Sequence, residues 1–146
     1  EEMFKATQQT LPADIAIFAA AVADFKIKKK DKNKIKKQET LTINLEKNID
    51  ILNYVSNHNS MRPKLVIGFA AETDNLNKNA ISKLTYKNCD WIIANDVSNK
   101  NIGFDSDYNE VTIYYKDPKN RKEKLSIKKK SEISEEIVDK IIAQFN

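Results

Sequence analysis

Three short, unbroken apolar runs constrain the fold most tightly: Asp-Ile-Ala-Ile-Phe-Ala-Ala-Ala at 14–21, Lys-Leu-Val-Ile-Gly-Phe-Ala at 64–70 and Asp-Trp-Ile-Ile-Ala at 90–94. Each has strand length and lacks the alternation of a strand with one wet face, so each suits a parallel strand covered on both sides. The second and third follow stretches with helical spacing, Ile51, Leu52 and Val55 before one and Leu76, Ala80 and Leu84 before the other. Strands alternating with helices predict an α/β fold with a mainly parallel sheet.

The last third changes character. Glu110 to Tyr115 reads as a strand and Asp117-Pro118-Lys119-Asn120 as a turn, which predicts a hairpin into Leu125-Ser126-Ile127. A closing helix follows, with Ser131 as its expected N-cap, Glu132, Glu135 and Glu136 at its positive end, and Ile133, Ile137, Ile141 and Phe145 along one face. The stretch 26–37 has no apolar period, and Leu41, Ile43 and Leu45 then alternate with polar residues. An exposed flap or arm after the first strand is expected there.

A chain of 146 residues has the size of one domain and can bury a core without covalent staples. It opens at Glu1 in a helical pattern already under way, so a fragment of a longer protein is expected. The single cysteine, Cys89, allows no internal disulfide, and no Cys/His spacing suggests a metal site. No apolar run approaches the roughly 20 residues that span a bilayer, and no signal peptide is visible, which predicts a cytoplasmic protein without membrane contact.

The net charge of +4 invites a nucleic-acid reading until the charge is located. Residues 26–37 hold eight lysines against one acid, Asp31; subtracting these from the chain's 25 basic and 21 acidic side chains leaves 17 and 20. The basicity is local, and only Phe25 neighbours it, so the stacking platforms of a single-strand binder are missing.

Open α/β sheets bind ligands at the carboxyl ends of their strands. The residues there are Asp24, Phe69 with Glu72, and Asn95 with Asp96, although Asp, Glu and Asn also serve as helix caps. Lys83 and Lys87 share a helix face, where like charges repel by a few tenths of a kcal/mol unless an anion lies between them; their stems could equally cover apolar surface. Most lysines of 26–37 read as a solvated loop, with Lys34 placed to reach over a bound triphosphate. The two glycines, Gly68 and Gly103, exclude a Walker A loop and a Gly-x-Gly-x-x-Gly fingerprint within these residues. His58 reads as a surface histidine and Cys89 as a packed one, so neither suggests covalent catalysis.

Four motifs stand in order: Ala-Ala-Val-Ala-Asp-Phe at 20–25, Lys-Ile-Lys-Lys-Gln at 34–38, Gly-Phe-Ala-Ala-Glu-Thr at 68–73 and Ala-Asn-Asp-Val at 94–97, with Lys83 and Lys87 after the third. In that order they resemble the phosphopantothenate–cysteine ligase family, the synthetase half of the bacterial bifunctional coenzyme A flavoproteins. The resemblance runs over nearly the whole chain. It implies a Rossmann-like three-layer fold, a homodimer with an arm crossing to the partner, and a ligase that joins 4′-phosphopantothenate to L-cysteine. It further implies CTP with Mg²⁺, a phosphopantothenoyl-cytidylate intermediate, and CMP and pyrophosphate as products.

Carried over by motif, Phe18, Ala19, Ala20 and Asp24 match nucleotide-contacting positions. Glu46, Lys47, Asn48 and Ile49 match a second such stretch, and Phe69 a further position. Lys83 and Lys87 match two lysines near the triphosphate, and Lys34 matches the lysine tied to forming the acyl-cytidylate. Two departures stand out: Ile49 replaces a common proline, and the arm is shorter and richer in lysine. The family's glycine-rich portion, an asparagine tied to turnover and the flavin-containing decarboxylase half all lie upstream of these residues, so a chain that binds CTP without completing the reaction is expected. Rival readings are a basic nucleic-acid-binding module and an inactive dimerisation domain.

Overall fold

A computed structural model of the chain describes residues 1–29, 33–36, 39–97, 106–119 and 121–146. The expectations placed on Lys30, Asp31, Lys32, Lys37, Gln38, Gly103 and Asn120 lie outside the described residues. The elements are α1 (Glu2–Thr10), β1 (Ile15–Phe18), β2 (Phe25–Ile27), β3 (Leu45–Lys47), α2 (Ile51–Ser56), β4 (Leu65–Glu72), α3 (Leu76–Tyr86), β5 (Trp91–Asp96), β6 (Tyr108–Tyr115), β7 (Lys122–Lys129) and α4 (Lys130–Phe145).

Five strands form one sheet in the order β1-β4-β5-β6-β7. The β1–β4 and β4–β5 ladders are parallel, while β6 runs antiparallel to both of its neighbours, so four of the five strands point the same way. The mainly parallel α/β sheet and the terminal hairpin are thus as expected. Asp117 shapes the hairpin turn, its Oδ1 accepting from the N–H groups of Lys119 at 2.9 Å and Arg121 at 3.0 Å.

Strand alternation divides the core between two faces. Leu65, Ile67, Trp91, Ile93 and Ile113 pack beneath Ile133, Ile137 and Ile141 of α4. On the other face Val66, Ala70, Ile92, Ala94 and Tyr114 meet Ala80 and Leu84 of α3, with Leu52 of α2 alongside. Helices on both faces make the three layers, and each fully buried aliphatic side chain contributes about 1.5–3 kcal/mol. Gly68 lets α2 approach the sheet closely: a Cβ there would stand 2.8 Å from Leu52 Cδ2 and 2.9 Å from Ile92 Cδ1.

Two expectations need correction. The run 14–21 is a strand only over Ile15–Phe18, and its side chains are not covered on both faces; Ile15 and Ile17 are exposed. The reason is position. β1 is the edge strand of the sheet, and α4 packs over β6 and β7 at the far side. At the closing helix the N-cap is Lys129, not Ser131, because the Glu132 carboxylate accepts the Lys129 N–H at 2.9 Å and starts the helix earlier.

The expected flap takes the form of a separate antiparallel ribbon, β2 with β3. Of the alternating residues 41–45 only Leu45 enters it, and Phe25, Ile27, Leu41, Ile43 and Leu45 are all exposed. Ahead of the sheet, α1 docks on α2 through Phe4, whose ring meets Tyr54 edge-on at 4.8 Å. Among the described residues no helix is long and apolar enough to cross a membrane.

Candidate functional site

Where β1 ends and the chain turns into the ribbon, a cavity of about 320 Å³ opens between β1, α1, the ribbon base and α2. Eight residues singled out in the sequence line it: Phe18, Ala19, Ala20, Asp24, Asn48, Ile49, Phe69 and Lys87. They come from four separated stretches, and the local chain explains how. The Asn48 N–H donates to the Asp24 carbonyl at 2.8 Å, its Nδ2 donates to the Ala23 carbonyl at 3.1 Å, and its Oδ1 accepts the Ile49 N–H at 3.0 Å. One asparagine therefore stitches the stretch after β1 to the stretch after β3.

Next in the chain, Asp50 has two tasks. Its Oδ1 accepts the Asn53 N–H at 3.0 Å and caps α2, while its Oδ2 forms an ion pair with the Lys87 ammonium. The backbone of Lys87 is fixed independently, its N–H bonded to the Lys83 carbonyl at 2.8 Å and its own carbonyl accepting from Ser56 Oγ. The sequence reading missed Asp50, although an aspartate directly after the carried-over stretch 46–49 was a signal for it.

Lys83 is placed differently. Its ammonium lies 2.7 Å from Glu72 Oε1 at the end of β4, and Asn79 Nδ2 donates to the other carboxylate oxygen at 2.9 Å. The Glu72 side chain is only 12% exposed, so Lys83 neutralises a largely buried carboxylate. Lys34 is exposed on the arm. Glu46 and Lys47 belong to β3 outside the cavity, Glu46 facing Lys26 at 3.6 Å. The hydrogen bond from Lys26 to Glu1 raises the Lys26 pKa above its ordinary value.

At the other end of the sheet stands a polar clamp that no motif announced. Arg62 donates to both Asp90 carboxylate oxygens at 3.0–3.1 Å and to the carbonyls of Ser56, Pro63 and Asn88. Asp90 in turn accepts the Val66 N–H at 2.7 Å. His58 is half-buried and closes a turn, its Nδ1 accepting the Met61 N–H at 3.1 Å beside the Tyr54 ring. Cys89 is fully buried, and burial pushes its thiol up to about 12. Among the described residues no group of three or more His, Cys, Asp or Glu stands close enough to hold a metal ion.

A mainly parallel sheet between two helix layers, with a crevice at the carboxyl end of its edge strand, defines the class: a Rossmann-like α/β domain. Residues 1–145 match the model of the DNA/pantothenate metabolism flavoprotein C-terminal domain, and the chain belongs to that family. It is 41% identical over 132 residues to the coenzyme A biosynthesis bifunctional protein CoaBC of Bacillus subtilis, covering 90% of this chain and 32% of the relative. With the protein of the same name from Haemophilus influenzae it is 38% identical over 147 residues, covering 99% of this chain and 36% of the relative. The crystal structure of the C-terminal domain of a CoaBC superposes with a TM-score of 0.74 at 32% identity, over 99% of this chain and 61% of that one. The chain thus spans about a third of the length of these curated relatives.

Proposed function

We propose that this chain is the ligase part of a coenzyme A biosynthetic protein, condensing 4′-phosphopantothenate with L-cysteine at the expense of CTP. One observation carries the reading: the cavity gathers eight residues from four stretches that the family resemblance assigned to nucleotide contact. The wall made by Phe18 and Phe69, with Ala19 and Ala20 beside them, suits a nucleoside.

The chemistry asks little covalent work of the protein. A carboxylate accepts an amine only after one oxygen becomes part of a leaving group, and CMP is that leaving group. The substrate carboxylate attacks the α-phosphate and pyrophosphate departs; the cysteine amine then attacks the mixed anhydride and CMP departs. The protein holds the reactants and balances charge as it moves onto the pyrophosphate. In this scheme Lys83 serves the triphosphate from α3 and Lys87 from its C-cap, and Lys34 is carried over it by the arm. Mg²⁺ enters as part of the Mg-CTP substrate, with phosphate oxygens and water as its main ligands.

The same reading covers assembly. The exposed Phe25, Ile27, Leu41, Ile43 and Leu45 suit an arm that pairs two copies in a homodimer. The glycine-rich portion implied by the resemblance would join at the open edge of β1, beside the exposed Ile15 and Ile17. The protein would act in the cytoplasm, without nucleic acid or membrane, and any flavin would belong to a decarboxylase half.

The test is the thermal midpoint of the full-length protein with Mg-CTP and Mg-ATP in parallel. A ligand at about 100 times its dissociation constant stabilises the folded state by roughly 2.7 kcal/mol. A CTP-selective rise is expected; equal or absent responses to the two nucleotides would contradict the reading.

A further inference from the structure

The charged groups of the cavity do not match a polyphosphate at first sight. Asp24 and Asp50 face it together with Lys87, so carboxylates outnumber the ammonium among the lining residues. Lys83 on α3 and Lys87 at its C-cap also differ in the carboxylates they hold. Glu72, the partner of Lys83, is 12% exposed and shares its second oxygen with Asn79; Asp50, the partner of Lys87, is 39% exposed and spends its second oxygen on the backbone of α2. Releasing Lys83 would strand a buried charge, whereas releasing Lys87 leaves Asp50 in contact with water and still capping its helix.

We propose that Asp50 is a positioning residue of the nucleotide site: in the free protein its carboxylate stands where a phosphate will stand against Lys87, and it yields the ammonium when a polyphosphate binds. This rests on the nucleotide reading given above. The side chain of Lys87 is suited to the exchange because its backbone is fixed at both the N–H and the carbonyl, so only the ammonium has to move. While the site is empty, Asp50 relieves the repulsion between Lys87 and Lys83 four residues away. It also makes a phosphate compete for Lys87, which favours ligands carrying several phosphates over lone anions.

Asp50→Asn separates the two tasks, since asparagine caps a helix as well as aspartate does and carries no charge. Asp50→Ser, a second good cap, repeats the test if the first variant folds poorly. In the full-length protein, calorimetric titration with CTP and with inorganic tripolyphosphate should show both ligands binding the variants about threefold to fivefold more tightly, the equivalent of one exposed ion pair removed from competition. Cytidine should bind unchanged, and the unliganded thermal midpoint should stay within about 2 °C of wild type, as a retained cap requires. Weaker or unaltered tripolyphosphate and CTP binding in a folded variant would overturn the proposal and spare the nucleotide reading. Tripolyphosphate binding that tightens in Asp50→Asn, with no CTP binding by either wild type or variant, would overturn the nucleotide reading and keep the exchange. Wild-type protein that binds neither would overturn both.

Discussion

Replacing Arg62 by methionine keeps the aliphatic stem and removes the guanidinium that joins three parts of the chain. Its Nε donates to the Ser56 carbonyl at the end of α2 at 2.8 Å, its Nη1 to the Pro63 carbonyl at 2.9 Å, and its Nη2 to the Asn88 carbonyl and to both oxygens of Asp90. A hydrogen bond to a charged group contributes roughly 1.5–3 kcal/mol, but bonds on one group do not add. With Arg62 and Asp90 both about a quarter exposed, solvent screens part of the loss. We expect destabilisation of about 3 kcal/mol, a drop in thermal midpoint of about 6–12 °C for a domain of this size. Asp90→Asn keeps an acceptor for the Val66 N–H and should cost about 1–2 kcal/mol.

The assay is urea unfolding of the 146-residue chain followed by the fluorescence of Trp91, its only tryptophan and a buried one. The double variant should fall short of the sum of the singles by at least about 1 kcal/mol, since the two side chains share one contact. A loss under about 1 kcal/mol for Arg62→Met, or strict additivity, would refute the view that this clamp fixes the ends of α2 and α3. The site depends on that clamp, because Ser56, whose carbonyl Arg62 holds, also donates its hydroxyl to the Lys87 carbonyl.

Ile137→Ala, which empties the contact between α4 and the sheet, should cost about 2–5 kcal/mol by denaturant titration with an unchanged slope. Lys83→Met should destabilise by about 1–3 kcal/mol because it leaves the Glu72 carboxylate without its cation, and adding Glu72→Gln should recover most of the loss in the same assay. The Cys89 thiol, raised from 9.0 to about 12 mainly by burial, should not react with a thiol reagent at pH 8 in the folded chain. Its linkage has one sign: unfolding lets the thiol ionise at its lower value, so its contribution is complete below about pH 9 and lost as pH rises towards 12. Cys89→Ala should therefore fall less steeply with pH over that window in a stability profile.

Much of the fold was legible because burial writes itself into composition. The runs at 64–70 and 90–94 became β4 and β5, covered on both faces over 65–68 and 91–94 with Phe69 left open to the cavity, and Ala80 with Leu84 became the inner face of α3. The run at 14–21 has the same composition but occupies an edge, and composition does not record which strand has a neighbour on each side. Ser131 lost the cap to Lys129 because the carboxylate of Glu132 reached back one turn, a competition between two good local solutions. In the site, Asn48 and Lys87 were visible through motif and spacing, and the structure brings them to one cavity. Asp50 was not singled out, because its value lies in two partners 3 and 37 residues away, which spacing alone does not reveal. The Arg62 clamp was hidden for the same reason: its partners converge only once α2, β4 and β5 are assembled.

Pyrophosphate release reads out the proposed activation of a carboxylate by CTP in this site without intermediate assumptions. The full-length protein is mixed with Mg-CTP and 4′-phosphopantothenate in the absence of cysteine, and pyrophosphate is followed in a single turnover. We expect a burst of one pyrophosphate per site, absent with Mg-ATP and lost in Lys34→Ala. Pyrophosphate release that does not depend on 4′-phosphopantothenate, or no burst from protein that binds CTP, would contradict it.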